Sequence, residues 1–298
     1  MIVNENASSS HAAASGAVAP VRLGVIDYLN VRPVYDWILR KERTAVGFDS
    51  VQTVTGVPAA MNKALLTGGV DISNVSSFAY GGQASNWLLI PRLSVAAHGQ
   101  VDSVLLFSFC REWAALDRKS IALTDQSATS AALVRVLSEQ RHGIRPRYVT
   151  MASDLDTMLA HHDAALMIGD RALVERHLRR SIAGRGQPYC FDLAAEWTAW
   201  TGLPFVFAVW AGRADRVASL RQSGVVDLLR ISKERGLARL DGIAAEYARR
   251  LDLPPSVCAE YLRLLDYDLG ACDLEGLRQF LEMTIPEFRW TSVRFFED

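Results

Sequence analysis

The sequence predicts an α/β protein of two domains around a cleft. Three observations carry this. From Val21 onward, short apolar runs alternate with helix-like segments, the pattern of parallel strands joined by crossover helices. The alternation breaks off and begins again near Arg111, which marks a boundary. The 298 residues also exceed the length at which a single core stops growing. With half its residues hydrophobic and 22% charged, the chain has enough apolar surface to offset its conformational entropy, so the disordered class is excluded.

The elements follow in order. VRLGVI reads as a strand, DYLN as a connection and RPVYDWIL as a helix start, with Pro33 in the first turn where its missing N–H does no harm. Val34, Tyr35, Ile38 and Leu39 then share one helical face. VQTVTG is a second strand, followed by a helix from Pro58 that Gly68-Gly69 closes, and VDISNVSSFAY is a strand running into a serine-rich loop. LLIPRLSVAA and VDSVLLFSF are strand-like. After the restart, KSIALT, RPRYVTM and AALMIGD are strands, and SAALVRVLSEQ, SDLDTMLAHH and RALVERHLRR are helices. YCFDLAAEWTAWTGLPFVFAVWAGR reads as strand-like with a Gly-Leu-Pro interruption. Helical stripes fill the remainder, the last after a cap at Asp273.

Composition removes several function classes. Lys plus Arg (32) balances Asp plus Glu (33), and no basic stripe interleaved with aromatics is present, so a nucleic-acid partner is not expected. No apolar run reaches the roughly 18 residues of a membrane span. Residues 1–20 lack the basic start and apolar run of about 7–15 residues that a secretory signal needs; a disordered tail and a cytoplasmic protein are expected. Cys110, Cys190, Cys258 and Cys272 are scattered with no CxxC pair, and His161 and His162 on a helix point about 100° apart. No metal and no cofactor are expected. GxSxG, HExxH and GxxxxGK[ST] are absent, so the serine hydrolase, zincin and nucleotide-hydrolase readings lose their support.

Ligands of parallel sheets gather beyond the carboxyl ends of strands, where helix starts present free N–H groups. The segments in that place are Asp27 to Asn30, Asn74 to Ser77, Asp125 to Ser130, and Gly169-Asp170. In DQSATS, Ser127, Thr129 and Ser130 offer hydroxyls beside first-turn amides, as a carboxylate requires; the same residues suit plain helix capping. Asn30 can donate to and accept from a substrate, or stabilise a turn, and Ser76 and Ser77 fit either a ligand loop or a local turn. Asp27, Asp125 and Asp170 are the acids nearest the expected cleft, each either a general base or a cap.

LGVIDYLNVRP, GGVDISNVSSFAY, DQSATS and EWTAWTGLPFVFAVWAGR together resemble the chorismate dehydratases of the futalosine route to menaquinone, from Val21 to the C-terminus. The resemblance implies a type II periplasmic-binding-protein-like fold: lobe one from 21–108 and 206–298, lobe two from 109–205. It implies conversion of chorismate into 3-[(1-carboxyvinyl)oxy]benzoate, with carboxylates gripped by DQSATS and the Ser76-Ser77 loop, and with Gly169 and Leu203 also binding the substrate. Asn30 would contact the reacting part of the substrate. The enolpyruvyl carboxylate would accept the proton, with Asp170 as the side-chain rival, and Arg32 would add charge. A solute-binding receptor for a small carboxylate is the alternative from another class. The sister enzyme acting on cyclic dehypoxanthinyl futalosine ranks third, because its SPCPND-like opening loop and its histidine have no counterpart here. The sequence leaves the oligomeric state open.

Overall fold

The computed structural model describes residues 20–40, 48–178, 180–182 and 184–297; the tail expected over 1–20 lies, but for its last residue, outside them. The first half builds β1 (Val21–Val25), α1 (Arg32–Leu39), β2 (Val51–Thr55), α2 (Pro58–Thr67), β3 (Ile72–Ser76), α3 (Ser77–Gly81) and β4 (Trp87–Ala97). The second unit holds β5 (Val104–Ser108), β6 (Ser120–Thr124), α4 (Ala128–Val136), β7 (Arg147–Met151), α5 (Leu155–His161), β8 (Ala164–Ile168), α6 (Gly169–Leu178), β9 (Tyr189–Asp192) and α7 (Leu193–Thr201). The chain then returns through β10 (Phe205–Arg213), α8 (Val217–Ser223), α9 (Val225–Leu237), α10 (Leu240–Leu251), α11 (Pro255–Leu264), α12 (Ala271–Thr284) and β11 (Arg294–Phe295). No helix among the described residues is long and apolar enough to cross a membrane.

These strands form a six-stranded sheet in the order β11-β4-β10-β3-β1-β2 and a five-stranded sheet in the order β7-β6-β8-β5-β9. The βα repeats give the expected parallel pairs, β1 with β2 and β3, and β6 with β7 and β8. β10 runs antiparallel to both β3 and β4, and β5 antiparallel to β8 and β9. The all-parallel expectation fails at these two because each brings the chain into its sheet from the other lobe. β5, inside the range 21–108 expected for lobe one, pairs wholly within the second sheet, so the chain passes between sheets before Val104.

The central strands of the second sheet, β5, β6 and β8, are buried on both faces. Leu106, Ile121, Leu123 and Leu166 join the large core shared with the first lobe, while Leu105, Phe107, Ala122 and Met167 pack a separate cluster with Leu155 and Met158 of α5. Such period-two sorting is what a strand covered on both sides requires. In the first lobe, α9 lies so close to α1 that a Cβ on Gly236 would meet the Pro33 carbonyl oxygen at 1.8 Å; only glycine permits that approach.

Several expected boundaries are corrected. EWTAWT is not strand but most of α7: Asp192 caps it by accepting from the Ala194 and Ala195 N–H groups, both at 3.1 Å, and this cap overrides the β preference of Trp and Thr. The other oxygen of Asp192 accepts from Val101 and Asp102 N–H at 2.9 and 2.7 Å, so one carboxylate ties the outward crossing to the helix before the return crossing. Trp197 of α7 packs edge-on against Phe205 and Phe280, and its indole N–H donates to the Pro204 carbonyl at 3.2 Å. The serine-rich loop after β3 is the start of α3, capped by Ser76. The final helix is capped at Gly270 rather than Asp273; Asp273 lies in its first turn and accepts from the Gly270 N–H at 2.9 Å.

Candidate active site

A cavity of about 690 Å³, counting its open mouth, lies between the sheets. Each segment that reaches it does so for a local reason. β1 ends at Val25 and the chain passes through Ile26 and Tyr28 into a 3-10 turn, Leu29–Val31, which presents Asn30. β3 ends in Ser76, whose hydroxyl caps α3 and whose N–H donates to Asn62 Oδ1 at 3.2 Å. β6 ends before Gln126 and Ser127; Ser127 caps α4, its Oγ accepting from the Ser130 N–H at 3.1 Å and donating to Ser130 Oγ at 2.9 Å. β8 runs directly into α6 at Gly169, whose φ of +65° belongs to the left-handed region that favours glycine. Gly169 and Asp170, expected in a loop, are the first residues of that helix.

Of the expected site residues, Asn30, Ser76, Ser127, Ser130 and Gly169 line this cavity, and five others do not. Ser77 is fully buried and donates to the Val206 carbonyl at 2.6 Å. Thr129 Oγ1 accepts from the Phe78 N–H at 2.9 Å, across the lobes. Asp170 Oδ1 accepts from the Leu29 N–H at 3.2 Å, again across the lobes. Leu203 sits at the return crossing, its N–H donating to Thr201 Oγ1 and its carbonyl accepting from the Thr198 hydroxyl. Arg32 is held by Asp27 at 3.5 Å and Asp36 at 3.1 Å, carboxylates that it shares with Arg250, Arg40 and Arg239.

The rest of the lining was not singled out from sequence. Tyr28, Asn74 and Gln126 lie within the flagged segments. Ser103 lies in the crossing between the sheets, its hydroxyl accepting from Tyr261 OH at 2.9 Å; an isolated serine in VDSVLLF was the one signal available. Val95, Val104, Ile168, Phe207 and Leu265 give the cavity apolar walls.

Two electrostatic features decide what the cavity suits. Among the described residues, its lining contains no Lys, Arg, His, Asp or Glu. Its one titratable side chain is Tyr28, whose hydroxyl burial pushes above the ordinary range, with the Asp170 charge adding to that. Polar contact therefore comes from hydroxyls, amides and the start of α4, where first-turn N–H groups favour an anion; at the start of α6 the Gly169 N–H is already taken by the Ser103 carbonyl at 2.7 Å. The second feature is Asn30 Oδ1, buried without a hydrogen-bond partner among the described residues. A lone buried amide oxygen is unusual in a folded protein and is explained if a ligand supplies the donor.

The acids near the cleft differ in state. Partial burial pushes the Asp27 carboxyl up, but the Tyr247 hydroxyl, 2.5 Å away, and Arg250 hold it below the ordinary range. Burial pushes the Asp170 carboxyl up to about 6, against the opposing pull of the Leu29 N–H and Arg250. Asp125 is exposed and outside the lining.

Two α/β lobes with a cavity between them, joined by two crossings, make up the periplasmic-binding-protein-like class of fold. The similarities to solved structures agree. A protein from Archaeoglobus fulgidus superposes with a TM-score of 0.71 at 15% identity, covering 90% of this chain and 97% of that one. The periplasmic aliphatic sulphonate binding protein SsuA from Escherichia coli gives 0.60 at 16% identity, covering 89% and 86%. Within that class, the menaquinone biosynthesis family model matches residues 21–285. The chorismate dehydratase of Thermus thermophilus is 36% identical over 272 residues, 88% of this chain and 94% of that protein. The chain belongs to the menaquinone biosynthesis family and is an enzyme.

Proposed function

We propose that the protein is a hydro-lyase that removes water from chorismate to give 3-[(1-carboxyvinyl)oxy]benzoate, working in the cytoplasm. The reading is supported by the likeness to the Thermus thermophilus enzyme over nearly its whole length. The structural observation that carries it is a cavity rich in hydrogen-bonding groups whose lining has no side-chain base suited to neutral pH.

Chorismate makes such a base unnecessary. Loss of the C3 proton is eased by conjugation with the C1 carboxylate, which spreads the developing charge; the C4 hydroxyl then leaves as hydroxide and the ring becomes aromatic. Proton and hydroxide together make the water released. The enolpyruvyl carboxylate, tethered to C3 through its ether oxygen, takes the proton at the high effective concentration of an intramolecular reaction. The protein has to bind two carboxylates and assist the departing hydroxyl. In this reading Ser127, Ser130 and the start of α4 hold carboxylate oxygens, and Ser76 contributes from the facing lobe. The Asn30 amide contacts the C4 hydroxyl, and the apolar walls flank the ring. The lobes divide in the crossings, between β4 and β5 and between α7 and β10.

The fold shared with the sulphonate receptor keeps a solute-binding protein as the second reading. Incubation with chorismate, followed by ultraviolet absorbance and mass, separates the two. The expected result is an aromatic product lighter by one water, and chorismate returned unchanged sinks the dehydratase reading. A chorismate monoester blocked at the enolpyruvyl carboxylate should not react; its turnover at the normal rate would remove that carboxylate as the base.

A further inference from the structure

The turn that carries Asn30 begins with an unmet donor. The first N–H groups of a helical turn have no acceptor inside it, and Tyr28, in the capping position, supplies no side-chain acceptor. Leu29 is fully buried, so water is no substitute. Its acceptor arrives from 141 residues away, on the other lobe: Asp170 Oδ1, at 3.2 Å. Asp170 has no ion-pair partner among the described residues and is not part of the cavity lining, although its neighbour Gly169 is. The two segments also lie close together, since a Cβ added at Gly169 would lie 3.5 Å from the Tyr28 ring.

We propose that Asp170 is a positioning residue: from the facing lobe it caps the Leu29–Val31 turn and so fixes the Asn30 amide in its working orientation only when the lobes are closed. The catalytic half of this inference rests on the dehydratase reading; the capping half does not. A cap needs an acceptor oxygen, which an amide also has, whereas a general base needs a carboxylate. The two roles therefore separate on a conservative substitution.

The experiment compares Asp170→Asn and Asp170→Ala for kcat and KM with chorismate, and for hydrogen exchange of the segment 26–32. With the acceptor kept, Asp170→Asn should hold kcat within about threefold of the parent and protect the Leu29 amide normally. With it removed, Asp170→Ala should lower kcat about tenfold or more and speed exchange at Leu29. Equal loss of kcat in both variants overturns the proposal in favour of a charge-dependent role. Parental kcat, or unchanged Leu29 protection, in Asp170→Ala also overturns it. If the parent leaves chorismate intact, the dehydratase reading has failed instead, and the exchange measurement still decides whether Asp170 caps the turn.

Discussion

At the scale of single residues, the site rests on groups whose partners are missing or come from afar. Replacing Asn30 by alanine removes the amide that contacts the C4 hydroxyl in the proposed geometry, and kcat/KM should fall about 100-fold, the usual order for losing a preorganised hydrogen-bonding group. Steady-state kinetics with unchanged thermal unfolding would confirm it; near-parental turnover would remove Asn30 from the chemistry. Asp170 makes a pH prediction. Burial raises its carboxyl from 3.8 to about 6, so the folded protein binds that proton more tightly than the unfolded chain does. The resulting stability is fully present below about pH 4 and is lost as pH rises through about 6, an effect on the order of 3 kcal/mol. Denaturant titrations of the parent and Asp170→Asn should show their difference changing by that order between pH 4 and 7. A difference independent of pH would contradict it. The residues that sequence places in the cavity lining are those whose type alone announces a polar loop: Asn30, Ser76, Ser127, Ser130 and Gly169. Ser77 and Thr129 lie outside the lining, their side chains differing from their neighbours' in rotation about the helix start. Arg32 turns instead to Asp27 and Asp36 and lies outside the lining.

At the scale of elements, a helix start serves two purposes that can be pulled apart. Ser127 caps α4 through the Ser130 N–H and also lines the cavity. Ser127→Ala should cost about 1 kcal/mol of stability and raise KM, whereas Ser127→Gly should recover most of the stability but not the binding. Thermal unfolding and titration calorimetry read the two effects separately, and recovery of both by glycine would leave Ser127 as a cap only. Most elements were legible because periodicity and punctuation agreed, as at α1 with Pro33 and α2 with Gly68. α7 was not, because Trp197, Thr198 and Trp200 favour strands by type. What decides the matter is Asp192, which accepts the first amides of the helix while also holding Val101 and Asp102. The second of those jobs is invisible in a linear pattern.

For the molecule as a whole, Asp170 to Leu29 and Thr129 to Phe78 are hydrogen bonds from one lobe to the other, beside residues that line the cavity. Removing both acceptors, in Asp170→Ala with Thr129→Val, should favour open lobes. X-ray scattering should give that double variant a larger radius of gyration than the parent, with reaction product narrowing the gap; identical values without ligand would count against a closure held by these contacts. The two-lobed plan was readable from the restart of the βα pattern near Arg111. The place where the chain changes sheets was not, because β4 and β5 are equally apolar and only pairing tells which sheet each joins. β10 has a consequence for biosynthesis. It lies between β3 and β4 in the first sheet, yet follows every strand of the second. While the ribosome is still translating, the later lobe has all its strands before the earlier one receives its central strand, so the amino-terminal half must wait, with β3 and β4 unjoined, for residues 205–213 to emerge.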